Sequence, residues 1–206
     1  GNGGAIYISG DDAKVTDTEC SVYSADDKGG AVYIDGEGVN ITHSYFHKGS
    51  ATRGGAIYIR GGDTHVDWVN VTRNTATANG GEFYIAGSGA RISNSNLDYA
   101  LAVRSGGAIF INGSNNLIEG CNVSYVNASE RYGGGIFIDG ENNKITRCFF
   151  EFCSSTKGGA IYINGTDARV SYSNFTMVGV SPVANVTNHT DGGAIYISGD
   201  DAIVEY

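Results

Sequence analysis

Asp17, His43 and Trp68 come nearest to a reactive set, since they lie 26 and 25 residues apart along the chain. A carboxylate, an imidazole and an indole stacked side by side would suit sugar binding with proton transfer. Cleavage of a polysaccharide asks for more: paired carboxylates, or an acidic metal site with a base beside it. Nothing else in the sequence converges on the trio, which reads as exposed polar residues on a β-face. Asp11 and Glu37 share a register but fall in a turn. Lys14, His65, Arg91, Lys144 and Arg169 also share one register, interrupted by Asn40 and Leu117. That stripe reads as a solvated face rather than an anion site. Cys20, Cys121, Cys148 and Cys153 show no CxxC pair and no zinc spacing. We assign no catalytic residue, no metal site and no cofactor.

The spacing of these residues reflects what positions them. The stretch Gly3-Gly4-Ala5-Ile6-Tyr7-Ile8-Ser9-Gly10 returns, lightly edited, from Gly29, Gly54, Gly80, Gly106, Gly133, Gly158 and Gly192. A period near 26 residues marks a solenoid in which each repeat is one coil. Eight copies imply about eight coils of roughly 26 residues, in an all-β chain without helical periodicity.

Period-two alternation then assigns faces. Ile8, Ile34, Ile59, Ile85, Ile111, Ile138, Ile163 and Ile197 are isoleucine in every copy, as an interior ladder requires. The Ala5 position becomes Glu82 in one copy, so it is expected to face out. The row Tyr7, Tyr33, Tyr58, Tyr84, Phe110, Phe137, Tyr162 and Tyr196 is expected to face out with it. These rings would stack along the rod, and their exposed faces would form a ligand-binding platform.

The rest of the coil aligns as well. Asp12, Gly38, Asp63, Gly89, Asn115, Asn142, Asp167 and Asp201 tolerate left-handed backbone and mark a corner. An apolar position follows (Val15, Ile41, Val66, Ile92), then a small one (Thr18, Ser44, Val69, Ser95, Cys121, Cys148, Ser173). The pattern suggests about three short strands per coil. Cys121 and Cys148 occupy one position of adjacent coils and are expected to be buried, reduced thiols, with a disulfide across coils as the alternative. The last full repeat is longer than the others, and its excess falls within 180–190, with the chain's one proline, Pro182. Such an insertion is expected on the surface.

A net charge of −9 argues against nucleic acid as a partner, because phosphate binding needs clustered Lys and Arg. No run is apolar enough for membrane insertion. Asn40, Asn70, Asn112, Asn122, Asn127, Asn164, Asn174, Asn185 and Asn188 each open an N-x-Ser/Thr glycosylation acceptor. The whole of 1–206 reads as a single β-helix domain cut from a longer array.

The Gly-Gly-Ala-Ile-Tyr-Ile repeats, with segments such as Ala90-Arg91-Ile92-Ser93-Asn94-Ser95-Asn96-Leu97, resemble those of adhesin-like surface proteins of methanogenic archaea. They are also similar to the Gly-Gly-Ala-Ile repeats of the polymorphic outer membrane proteins of chlamydiae. The resemblance covers essentially the whole chain. It implies a right-handed parallel β-helix of the pectin-lyase-like kind on an extracellular, cell-surface protein. It implies non-enzymatic adhesion, with another cell's surface or a glycan as partner. A polysaccharide lyase or glycosidase of the same fold is the alternative.

Overall fold

The computed structural model describes residues 1–180 and 191–206. The chain winds into a stack of about seven turns whose strands pair in parallel, coil on coil, in four sheets. One complete coil runs through Val32–Ile34, Asn40–Thr42, Tyr45–His47 and Ser50–Arg53. Equivalent strands of successive coils make a first sheet of eight strands, a second of eight, a third of seven and a fourth of six. Register is strict: Tyr33 pairs with Tyr7 below and Tyr58 above.

The expected three strands per coil are thus four. The additional strand includes Ser50–Arg53, Thr75–Asn79 and Leu101–Ala102. Its interior side is marked only by Ala51, Ala76, Ala102 and Ala128, all buried. A single small residue in a polar segment carries too little alternation to announce a strand.

Each coil turns at four left-handed residues. The glycine before the first sheet is one, as at Gly29, with φ of 62°. A Cβ there would lie 2.1 Å from the Val32 carbonyl oxygen, so glycine is required on both counts. The corner expected at Asp12 is the second, with φ of 53°. Two further corners were not legible, because the residue types that occupy them change from coil to coil. One carries Asp17, His43, Trp68, Asn94, Gly120, Arg147 and Tyr172, and the other Val22, Lys48, Arg73, Tyr99, Tyr125, Phe152 and Met177, all at positive φ.

Inside the coil, Ile34, Ile59, Ile85, Ile111, Ile138 and Ile163 are fully buried in one continuous core, as the ladder requires. Each contributes on the order of 1.5–3 kcal/mol of apolar burial. The small column packs beside them and satisfies backbone groups. The Ser44, Ser95 and Ser173 hydroxyls donate to the carbonyls of Thr42, Ser93 and Ser171 at 2.6–2.9 Å. Cys121 and Cys148 replace the hydroxyl in kind, their thiols donating to Glu119 and Thr146 at 3.5 and 3.3 Å. All four cysteines are free, and all but Cys20 are buried.

One expectation is corrected outright. Glu82 does not face solvent; it is fully buried, as are Ala31, Ala56, Ala108 and Ala160 at the same position. That residue belongs to the corner, not the strand. The Ala56 carbonyl accepts from both Ala31 and Val32, so alternation begins one residue later than the sequence suggests. The Glu82 carboxylate meets the Asn74 amide at 2.5 Å. Asn74 in turn accepts from the Tyr23 hydroxyl at 2.7 Å and from the Gly49 amide at 2.6 Å. Tyr23 reaches across two coils over Gly49, where a Cβ would fall 1.7 Å from the ring. Burial pushes the Glu82 carboxyl well above its ordinary range, which favours the neutral acid inside the coil.

Candidate binding face

The aromatic row forms the expected ladder on the outer side of the first sheet, separate from the interior core. Ring centroids are 4.9–5.4 Å apart from Tyr7 through Phe137, close to the spacing of parallel strands. The expected exposure of ring faces is not found. Tyr33, Tyr58, Tyr84, Phe110, Phe137 and Tyr162 are buried, and Tyr7 is open because it is the end of the stack. Each ring covers its neighbours' faces. Lys28 lies 5.4 Å from the Tyr58 centroid, Lys157 lies 4.8 Å from that of Tyr196, and Tyr132 stacks on Tyr162 at 4.6 Å. Burial is the main cause pushing the Tyr58 phenol up to about 12. The row therefore stiffens the wall rather than offering a platform.

The exposed rings lie elsewhere. Between the end strands of the third sheet, Tyr45, Trp68, Tyr99, Tyr125 and Phe152 are exposed on that sheet or its two corners; Leu101 is exposed on the fourth, and Val22, Tyr172 and Met177 are exposed where the third sheet ends. Tyr99, Tyr125 and Phe152 form a second stack, with centroids 4.9 and 4.7 Å apart. The Arg73 guanidinium sits 5.7 Å from the Tyr99 centroid.

The backbone under these side chains is informative. At the Asp12 corner every residue is Asp, Asn or Gly. At the Val22 corner none is, although φ lies between 49° and 58° throughout. Left-handed backbone costs an L-residue roughly 1–2 kcal/mol, which glycine avoids and asparagine reduces. Aromatic stacking offsets about 0.5–1.5 kcal/mol of this for Tyr99, Tyr125 and Phe152, but Val22 and Met177 make no such stack. Strain of this kind collects where a side chain serves something other than the fold.

Between the two corners, the outer face of the third sheet carries a polar column. Asn70, Asn96 and Asn122 open the strands Asn70–Thr72, Asn96–Asp98 and Asn122–Ser124. Their amides hydrogen-bond head to tail, Asn96 to Asn70 at 2.8 Å and Asn122 to Asn96 at 2.9 Å. With Trp68, Asn94 and Gly120 they line an open cleft of about 410 Å³.

The remaining sequence candidates resolve as follows. Asp17, His43 and Trp68 occupy one corner in adjacent coils at φ of 49–53°. All three are exposed, and of the three only Trp68 lines the cleft beside the asparagine column. Two members of the basic stripe are paired, Arg91 with Glu119 at 2.6 Å and Arg169 with Glu205 at 2.9 Å, and Glu119 also meets Arg147 of the neighbouring corner at 2.6 Å. Among the described residues, no three His, Cys, Asp or Glu side chains gather as a metal ion would need. Of the acceptor asparagines, Asn70, Asn112, Asn122, Asn164 and Asn174 are exposed, while Asn40 and Asn127 are half-buried. Asn70, Asn122 and Asn174 share one column because an outward Asn, an inward apolar residue and an outward Ser or Thr spell the acceptor. Asn185 and Asn188, and the inserted segment apart from Val180, lie outside the described residues.

Residues 4–205 match a family model described as a right handed beta helix region. No curated protein and no solved structure matched the chain.

Proposed function

Because the chain belongs to the right-handed β-helix family, a scaffold that fixes its interior and leaves its outer columns free, we propose that it is a non-enzymatic segment of a cell-surface adhesin. It presents the third-sheet face to a glycan or to another cell. The fold does not choose between adhesion and catalysis; the side chains carry the argument. The supporting observation is the Val22 corner, where seven exposed residues, none of them Gly, Asn or Asp, hold left-handed backbone along one edge of that face. A purely structural corner would take the residues of the Asp12 corner. The same face gathers the exposed rings away from the end coils, and contiguous exposed apolar surface marks interaction sites. An extracellular location is part of this reading, and the exposed acceptor asparagines accord with it.

The test replaces Tyr99, Tyr125 and Phe152 together by glycine, the residue the backbone prefers. Attachment to a glycan array and to whole cells should fall strongly while the thermal midpoint stays near wild type. Undiminished attachment would sink the proposed face. New reducing or unsaturated ends released from anionic or neutral polysaccharides would replace adhesion with a lyase or glycosidase.

A further inference from the structure

We infer that the cleft between Trp68 and the asparagine column is a binding site for a neutral saccharide. The inference rests on the adhesive face proposed above and names its ligand class. The lining residues are Trp68, Asn70, Asn94, Asn96, Gly120 and Asn122, and none is charged. An anionic ligand finds no cation among them, and a lipid finds no apolar pocket. Carboxamides both donate and accept, which is what a ring bearing adjacent hydroxyls needs.

The amides are ordered before any ligand arrives. The ladder uses one N–H each of Asn96 and Asn122, and one lone pair each of Asn70 and Asn96. The second N–H and second lone pair of each point of the ladder remain for a ligand. Asn94 is held from behind, its amide donating to Asp67 at 2.9 Å, while Ser93 donates to the same carboxylate at 2.7 Å. Pre-ordered groups lose little freedom on binding.

Trp68 supplies the apolar wall. It is 60% exposed and stands at φ of 53°. In the next two coils the same column holds Asn94 and then Gly120, residues suited to that backbone. The indole is therefore not there to make the corner. Its drop to the bare Gly120 opens the cleft along the rod. An aromatic face beside hydrogen-bonding amides matches a sugar ring, which has a C–H face and a hydroxyl rim.

Trp68 is the chain's only tryptophan, so its fluorescence reports on this cleft. Protein from a bacterial host, with Asn70 and Asn122 bare, would be titrated with cellohexaose, xylohexaose, mannohexaose and chitohexaose. Oligogalacturonate serves as the charged control. We expect saturable change in emission with at least one neutral hexamer and none with the control. Calorimetry should show affinity reduced about tenfold or more in Trp68→Asn, which installs the neighbouring coil's corner residue, and in Asn96→Ala. Circular-dichroism melting should match wild type in both. Equal affinity in Trp68→Asn, or no binding by any neutral hexamer, overturns the cleft. If hexamer binding survives Trp68→Asn but is lost in the Tyr99, Tyr125 and Phe152 glycine variant, the cleft fails and the adhesive face stands. If no hexamer binds and cells still attach through those rings, the result is the same.

Discussion

Replacing Glu82 by Gln should remove a measurable part of the protein's pH dependence. Glu82 is fully buried, and its Oε1 has no partner among the described residues. Desolvation raises its folded pKa well above the ordinary 4.5. In the unfolded chain the carboxyl titrates near that ordinary value. Between the two, the folded state binds a proton that the unfolded state has released. The contribution of Glu82 is therefore fully present below pH 4.5 and is lost as pH rises toward the folded pKa. The slope is about 1.4 kcal/mol per pH unit.

Gln keeps the shape and the contact with Asn74 but does not titrate. Urea unfolding followed by circular dichroism at pH 4.5, 5.5 and 7 should show wild type losing stability relative to Glu82→Gln as pH rises, at up to about 1.4 kcal/mol per pH unit. Asp27, whose hydrogen bond from Arg53 holds its carboxyl low, loses its stabilising effect on acidification instead. It is present in both proteins and cancels in the difference. Parallel curves for the two proteins would refute the picture of a neutral acid inside the coil.

Other expectations follow from the same packing. Ile85→Asp puts a carboxylate at a fully buried ladder position and should abolish cooperative unfolding, as read by near-ultraviolet circular dichroism and proteolysis. Tyr84→Ser removes a buried ring stacked 4.9 Å from both Tyr58 and Phe110. It should lower stability by about 3 kcal/mol with glycan attachment unchanged, and reduced attachment at native stability would return the row to the binding surface. Burial pushes the Cys153 thiol up to about 12, and Cys121 and Cys148 are buried as well. Iodoacetamide at neutral pH should therefore label Cys20 alone in the native protein and all four thiols in urea, counted by intact mass.

The sequence made the scaffold legible because the scaffold repeats. Eight aligned copies separate an unvarying Ile8 column from variable ones, and burial of Ile34 through Ile163 agrees. The fourth strand was hidden because its inward residue is only alanine. Glu82 was misread because the corner carbonyl of Ala56 takes two amide hydrogens, which delays the strand's alternation by one residue. The cleft escaped notice for another reason. Trp68 was grouped with Asp17 and His43, its neighbours along one column, whereas the cleft it lines is completed by Asn70, Asn96 and Asn122 of the adjacent column. Column spacing reveals what stacks along the rod, but not which adjacent columns share a face.

That distinction bears on where binding evolves in such a coil. The interior columns are bound by packing, and the first-sheet aromatics by one another. The Asp12 corner is bound by backbone geometry, which Asp, Asn and Gly meet at least expense in strain. Among the columns that remain free to vary are the third sheet's outer face and the two corners beside it. There the residues run from Glu19 and Tyr45 to Asn96, Asn122 and Phe149 within a single column. A column that keeps its backbone but changes its side chains coil by coil can build a graded surface without altering the stack beneath. The strained rings at its edge are then held in place by the parallel ladder, so a ligand of the proposed face would meet them already aligned.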